Sequence, residues 1–234
     1  VVKVVKKARV PIITLKHEQL ALEMDISVQL PTQDRSHVLK NSKLLSLYSL
    51  QDPQLGRVFR TYKWFLENTR LFNASKQGLC SYAHLILFLY FVRRQGWIAF
   101  IDPLNLQTRG QAPRQMPRAA SMLLKFLAFM AKEDFTASIA LLHEDPVLYS
   151  EPNTLNRLNI RALYEDRNIA ATLSLKNLSM LQQACEVLFH ALWKESNMDY
   201  DFSIGKLFHK PAKQSQKQQI KFIADNIRQK IDKL

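Results

Sequence analysis

Cysteine is scarce in this chain and carries no pattern. Cys80 and Cys185 are the only two in 234 residues, with no C-x-x-C and no Cys/His cluster. That excludes a disulfide framework and a structural zinc site, and it fits a reduced intracellular setting. Long apolar runs are missing too. The longest, Leu85–Val92, is far short of the roughly 20 residues that cross a bilayer. No stretch resembles a signal peptide. The chain begins at Val1 rather than Met, as expected of a fragment, a processed product or the ordered part of something longer. The six histidines (His17, His37, His84, His143, His190 and His209) have no ligand spacing. There is no G-x-S-x-G, P-loop or G-x-G-x-x-G, and no internal repeat.

Acidic residues are also under-represented: 20 Asp and Glu stand against 33 Lys and Arg, a net charge of +13. Such an excess favours a polyanionic partner through steering and counterion release. A basic protein of a basic compartment, such as the mitochondrial matrix, is the other reading, and the two are compatible. What is present in quantity is apolar: 47% hydrophobic against 23% charged residues is the balance of a folded globular protein. The length allows one or two domains.

Residues 1–16 carry five cations and no acid, and the runs Val4–Val5 and Val10–Leu15 read as strands, with Pro11 at a strand start. Leu22–Leu30, containing Asp25, reads as a further strand. From Asn41 the pattern turns helical, with Asn41 or Ser42 as a cap and Leu44, Leu45 and Tyr48 on the helix. Asp52–Pro53 is an N-cap followed by Pro at the first helical position, leading a helix with Leu55, Phe59, Tyr62 and Leu66. Gly78 ends a loop, and a helix from about Leu79 to Arg94 is apolar nearly all round. Residues 96–117 read as a long loop exposing Arg109, Arg114 and Arg118. Helices follow over residues 118–132 and 177–194, with Phe135–Leu142 a short strand or helix between them. The tail from Lys206 to Leu234 is basic, and Ile220, Ile223, Ile227, Ile231 and Leu234 form one helical stripe.

Asp25 lies in Met24-Asp25-Ile26-Ser27-Val28, where a carboxylate could ligate a metal or simply face solvent. Spacing alone favours the second. Three groups of residues change that balance. Asn41-Ser42-Lys43-Leu44-Leu45-Ser46-Leu47-Tyr48, then Asp52-Pro53, Tyr62-Lys63-Trp64 and Gly78-Leu79-Cys80-Ser81-Tyr82, follow one another in order. They resemble the N-T-x-L-L-x-x-Y, D-x-R, Lys-aromatic and G-x-L-S-S-Y series of poly(A) polymerases, including mitochondrial ones, and terminal uridylyltransferases. These belong to the DNA polymerase β-like nucleotidyltransferase superfamily. Ala8-Arg9-Val10-Pro11-Ile12-Ile13 with Met24-Asp25-Ile26-Ser27 resembles that family's A-R-V-P-I-[IV] and D-[IV]-S strand pair. Asn168-Ile169-Ala170-Ala171-Thr172-Leu173-Ser174 resembles its N-[VI]-A-x-x-[VL]-S segment. The resemblance touches roughly residues 8–95 and 118–192.

The resemblance implies transfer of a nucleotide from ATP or UTP to an RNA 3′ end, with two Mg²⁺ or Mn²⁺ ions held by three carboxylates. Asp25 would be the third of these, both catalytic residue and metal ligand. The other two belong to a G-S … D-x-D motif expected upstream. Lys63 matches a triphosphate-binding Lys, Ser81 a phosphate-binding Ser, Tyr82 the Tyr on which the base stacks, and Asn41 and Ser42 an Asn-Thr pair near the ribose. Two departures stand out. Glu67 occupies the place of a second Lys, where it would repel a triphosphate or pair with Lys63 at (i, i+4). The E-D-P-F base-recognition loop aligns with Ile160-Arg161-Ala162-Leu163, so Arg161 replaces the acid and Arg167, before Asn168, takes the position that tunes U against A.

The expected fold is α+β: the C-terminal strands of a nucleotidyltransferase palm sheet packed on a mainly α-helical central, PAP-associated domain. Residues 1–40 would be the palm remnant, 41–200 the central domain and 201–234 a basic amphipathic tail. Two functions are compatible with it. One is an RNA 3′-terminal nucleotidyltransferase; the other is a degenerate relative retained as an RNA-binding or scaffolding subunit of a ribonucleoprotein, such as a mitochondrial ribosome or its assembly intermediate.

Overall fold

The computed structural model describes residues 2–5, 12–20, 22–27, 36–69, 77–110, 112–135, 138–141, 158–165 and 167–196. The chain divides into two compact units, Val1–Lys40 and Asn41–Leu234. The basic tail from Lys206 and the Ala8–Pro11 part of the strand motif lie outside the described residues.

The first unit is a three-stranded antiparallel sheet of β1 (Val2–Val5), β2 (Ile12–His17) and β3 (Leu22–Ser27), in that order. Alternation along each strand sorts the side chains. Val2, Leu15 and Met24 form one cross-strand row and Val4, Ile13 and Ile26 another, all on one face. Val2 and Met24 are exposed at 66% and 60%. Thr14 and Asp25 are paired on the opposite face.

The second unit is mainly helical. Helix α1 (Ser36–Leu50) starts earlier than expected, so Asn41 and Ser42 sit in its second turn and cap nothing. At the next helix the local chemistry holds. The Asp52 carboxylate accepts the Gln54 N–H at 2.7 Å, and Pro53 opens α2 (Pro53–Thr69), so one of the unpaired first-turn donors is satisfied. Leu55, Val58, Tyr62, Phe65 and Leu66 then bury one face of α2. Helix α3 (Ser81–Arg94) is buried almost all round, from Ala83 to Arg93 with Leu85 partly covered. Cys80 is its N-cap in extended backbone.

Residues 96–117 are more ordered than a long loop. Strands β4 (Phe100–Ile101) and β5 (Thr108–Arg109) pair antiparallel. The buried Asp102 carboxylate and the Arg109 guanidinium meet at 2.7 Å. The segment is also tied to the end of α1. Gln51 bonds both backbone groups of Ala99, at 2.7 and 3.1 Å, and the Tyr48 hydroxyl accepts the Ile101 N–H.

Helix α4 (Ala119–Lys132) buries Met122, Leu123, Phe126, Leu127 and Met130. The Phe126 ring stands edge-on to Tyr62 and Phe88, at centroid distances of 4.8 and 5.1 Å. Such aromatic pairs add ~1 kcal/mol each beyond their area. Two-residue strands β6 (Ser138–Ile139) and β7 (Asn159–Ile160) pair parallel. Helix α5 (Leu175–Ser196) buries Leu181, Ala184, Cys185, Leu188 and Ala191. Burial pushes the Cys185 thiol far above its ordinary range, which leaves it inert at neutral pH.

Candidate functional site at the start of helix α3

Three segments of the helical unit converge where α3 begins. The first is the turn before it. Gln77 adopts a left-handed φ of 62°, and its carbonyl accepts the Ser174 N–H at 3.2 Å and the Asn177 amide at 3.0 Å. The Thr172 hydroxyl donates to the Gly78 carbonyl at 3.4 Å. The start of α5 therefore fixes the approach to α3. The first bond of the α3 ladder runs from the His84 N–H to the Cys80 carbonyl. The N–H groups of Ser81, Tyr82 and Ala83 lie ahead of that ladder, with the positive end of the helix dipole and the exposed Ser81 hydroxyl beside them.

Next comes α3's own first turn. Tyr82 is half-buried, and its hydroxyl accepts the Leu163 N–H at 3.1 Å. Burial lifts its pKa above the ordinary phenol range, so the ring stays neutral at physiological pH. His84, two residues on, is fully buried with its Nδ1 3.2 Å from the Tyr62 hydroxyl of α2. Burial lowers its pKa to about 3, so it is uncharged at neutral pH.

The third segment is a hairpin over residues 158–170. Arg161 bridges Asn168, and the Ile169 N–H reaches the Ile160 carbonyl at 2.9 Å. At its tip Tyr164 takes φ 57°, and the Glu165 carboxylate meets the Arg167 guanidinium at 2.5 Å. Both charges lie close enough to Tyr82 to act on its hydroxyl.

The expected site residues fare differently. Ser81, Tyr82 and Arg167 come together. Asn168 belongs to the same hairpin, but its side chain is committed to backbone. Its Oδ1 accepts from Ile160 and Ala170, at 3.0 and 2.8 Å, and its Nδ2 donates to Leu158 at 3.1 Å. Through these three bonds it shapes the loop. Arg161 is half-buried, its N–H donating to the Ile139 carbonyl. Lys63 follows Tyr62 on α2 and pairs with Glu67 at 3.6 Å, so the carboxylate in the second-Lys position partly neutralises it. Ser42 is exposed, whereas the Oδ1 of Asn41 is buried without a hydrogen-bond partner, an acceptor that lacks a donor.

Asp25 belongs to the first unit. It is exposed, and one carboxylate oxygen accepts the Thr14 hydroxyl at 2.7 Å. No group of three His, Cys, Asp or Glu capable of holding a metal exists among the described residues. Asp25 alone does not make a divalent-cation site. Sequence reasoning missed Glu165, because the acid was sought at Ile160-Arg161 and not beyond the tip of the hairpin.

The fold is shared with solved structures of RNA-modifying enzymes. The chain superimposes on Cid1 poly(U) polymerase with Mg 3′-dATP bound at a TM-score of 0.70 and 19% identity, covering 90% of this chain and 71% of that one. A cytoplasmic RNA terminal U-transferase gives 0.71 at 18% identity, with 91% and 73% covered. mtPAP in complex with GTP gives 0.67 at 16%, with 97% and 49% covered. In sequence, the human terminal uridylyltransferase 7 is 35% identical over 88 residues, 38% of this chain. The mouse terminal uridylyltransferase 4 is 31% identical over 88 residues. The chain spans about 6% and 5% of the length of these two relatives. No family model matches. Over those 88 residues in sequence, and over most of the chain in fold, the protein is similar to terminal uridylyltransferases and poly(A) and poly(U) polymerases.

Proposed function

We propose that this chain forms the nucleotide- and RNA 3′-end-binding part of an RNA 3′-terminal nucleotidyltransferase, with ATP or UTP as donor. The observation that carries this reading is the convergence at α3. The hydroxyl of a neutral tyrosine accepts the Leu163 N–H, the Glu165–Arg167 pair is near enough to act on it, and helix N–H groups and Ser81 stand one residue away. A base stacks on Tyr82, a use of a π face that tolerates any base. Phosphate oxygens take the α3 N–H groups and the Ser81 hydroxyl. Lys63 supplies charge to the triphosphate, weakened by Glu67. The buried Asn41 Oδ1 fits a ribose hydroxyl as its missing donor. At the base edge Glu165 and Arg167 present an acceptor and a donor.

Magnesium or manganese, when bound, would polarise the 3′ hydroxyl and steady the leaving pyrophosphate. Asp25 would contribute one ligand to it, through the carboxylate oxygen that Thr14 does not hold. A mitochondrial matrix setting accords with the charge of +13 and with the mtPAP fold. No helix among the described residues is long and apolar enough to cross a membrane.

Two measurements test the reading on the full chain. NTP should slow alkylation of the half-buried Cys80, which immediately precedes Ser81, and Tyr82→Ala should remove that protection. Extension of a labelled RNA oligonucleotide should be abolished by Asp25→Ala. The Lys63–Glu67 pair favours the second reading, a degenerate subunit that binds RNA inside a ribonucleoprotein. RNA binding without NTP protection of Cys80 and without extension would select it.

A further inference from the structure

We propose that the groove between α4 and α5 is a second nucleic-acid contact, a stacking platform for single-stranded RNA lying away from the site at α3. The groove encloses about 490 Å³ and is lined on the α4 side by Arg118, Ser121, Leu124 and Lys125 and on α5 by Phe189 and Trp193. Trp193 is 54% exposed, an unusual fate for the largest apolar side chain. It stacks on Phe189 at 23°, with 5.9 Å between ring centroids, so the indole is steadied from one side as a flat surface. Arg118 and Lys125 are exposed cations seven positions apart, hence about 10 Å along the helix. Lys125 is also fixed by the Trp97 ring, 5.4 Å from its centroid. Among the described residues no acid lines the groove; Glu186 stands one turn before Phe189, outside it.

Apolar walls with an aromatic plane and two cations suit a single strand, whose bases stack while its phosphates meet the charges. The polyanion also matches the net charge of +13. Helix α5 links this groove to the first site. Asn177 bonds the turn before α3, and Trp193 lies 16 residues further on, about 24 Å along the helix. An RNA of several nucleotides bridges that distance.

The test uses the full chain and a 15-nucleotide oligouridylate carrying a 3′-phosphate, which cannot be extended, so failure of the catalytic reading leaves the experiment intact. Trp193→Ala should weaken binding by roughly tenfold, and Trp193→Phe should restore most of the loss. Changing Arg118 and Lys125 together to Gln should flatten the slope of log affinity against log salt by about 1.4, that is ~0.7 for each phosphate no longer neutralised. Unchanged affinity in Trp193→Ala with an unchanged slope in the double variant overturns the proposal. A shifted monomer–dimer equilibrium in Trp193→Ala, with RNA binding intact, also overturns it and makes the groove a protein-docking face.

Discussion

The sheet and the helical unit treat apolar surface in opposite ways. In the helical unit every large apolar side chain of α3 from Ile86 to Val92 is buried, and Phe126 of α4 packs on Tyr62 of α2 and on Phe88 and Phe91 of α3. In the sheet, Val2, Val4, Leu22, Met24 and Ile26 are exposed on β1 and β3. The helical unit contains its own core, and the loops that form the candidate nucleotide site hang from it by backbone hydrogen bonds. The sheet carries the candidate catalytic carboxylate on a scaffold with one open face. Binding and catalysis would thus rest on parts with different stability, and variants can separate the two.

The largest effect is expected in the helical core. Phe126→Ala removes the ring that Tyr62, Phe88 and Phe91 pack against and leaves a cavity, and denaturant unfolding should show a loss of ~3–5 kcal/mol. Met24→Ser, on the open face of β3, should change stability by less than about 0.5 kcal/mol. A large loss from Met24→Ser would mean that this face is covered in solution.

The next is a pH effect of similar size. His84 is neutral in the folded protein, with a pKa of about 3 against 6.5 in the unfolded chain. Between those values the unfolded state binds the extra proton, so stability rises with pH and is fully present above about 6.5. On acidification the wild type should lose on the order of 4 kcal/mol through this group by pH 3. His84→Gln should lose that part of the slope, leaving only what carboxylates contribute. Equal slopes in the two proteins would show that His84 is not buried as a neutral ring.

Asn168→Ala should follow, at ~2–3 kcal/mol, because it leaves the Ile160 and Ala170 N–H groups and the Leu158 carbonyl without their partner. The hairpin should loosen first, measured as faster hydrogen exchange at Leu163. An effect confined to NTP affinity, with exchange at Leu163 unaltered, would return Asn168 to a ligand-binding role.

These residues also mark what could be read from the sequence. The Asp52–Pro53 start of α2 was legible because cap and proline act within three residues. The start of α1 was not, since Asn41 and Ser42 have cap chemistry yet lie inside a helix that begins at Ser36. The β4–β5 hairpin escaped because two-residue strands have no alternation to detect. Tyr82 and Ser81 became candidates through an ordered motif. Glu165 was not, because it reaches the vicinity of Tyr82 through a left-handed turn at Tyr164 that no local pattern announces.

The smallest effect belongs to the exposed pair on α2, where the two functional readings separate most directly. Lys63 and Glu67 are 40% and 52% exposed, so their attraction is screened and worth a few tenths of a kcal/mol to stability at most. Glu67→Lys should therefore leave the unfolding midpoint almost unchanged. A triphosphate bound beside α2 would register the change much more strongly, because a repelling carboxylate becomes a second ammonium and Lys63 is released from its partner. NTP binding measured by calorimetry should tighten roughly three- to tenfold, with the gain shrinking as salt rises. Tightening by Glu67→Lys together with slower Cys80 alkylation in NTP would join α2 and the head of α3 in one site. No gain at low salt would place Glu67 away from the phosphates and remove Lys63 from the nucleotide site, leaving Asn41 of α1, the head of α3 and the hairpin as its extent in the helical unit.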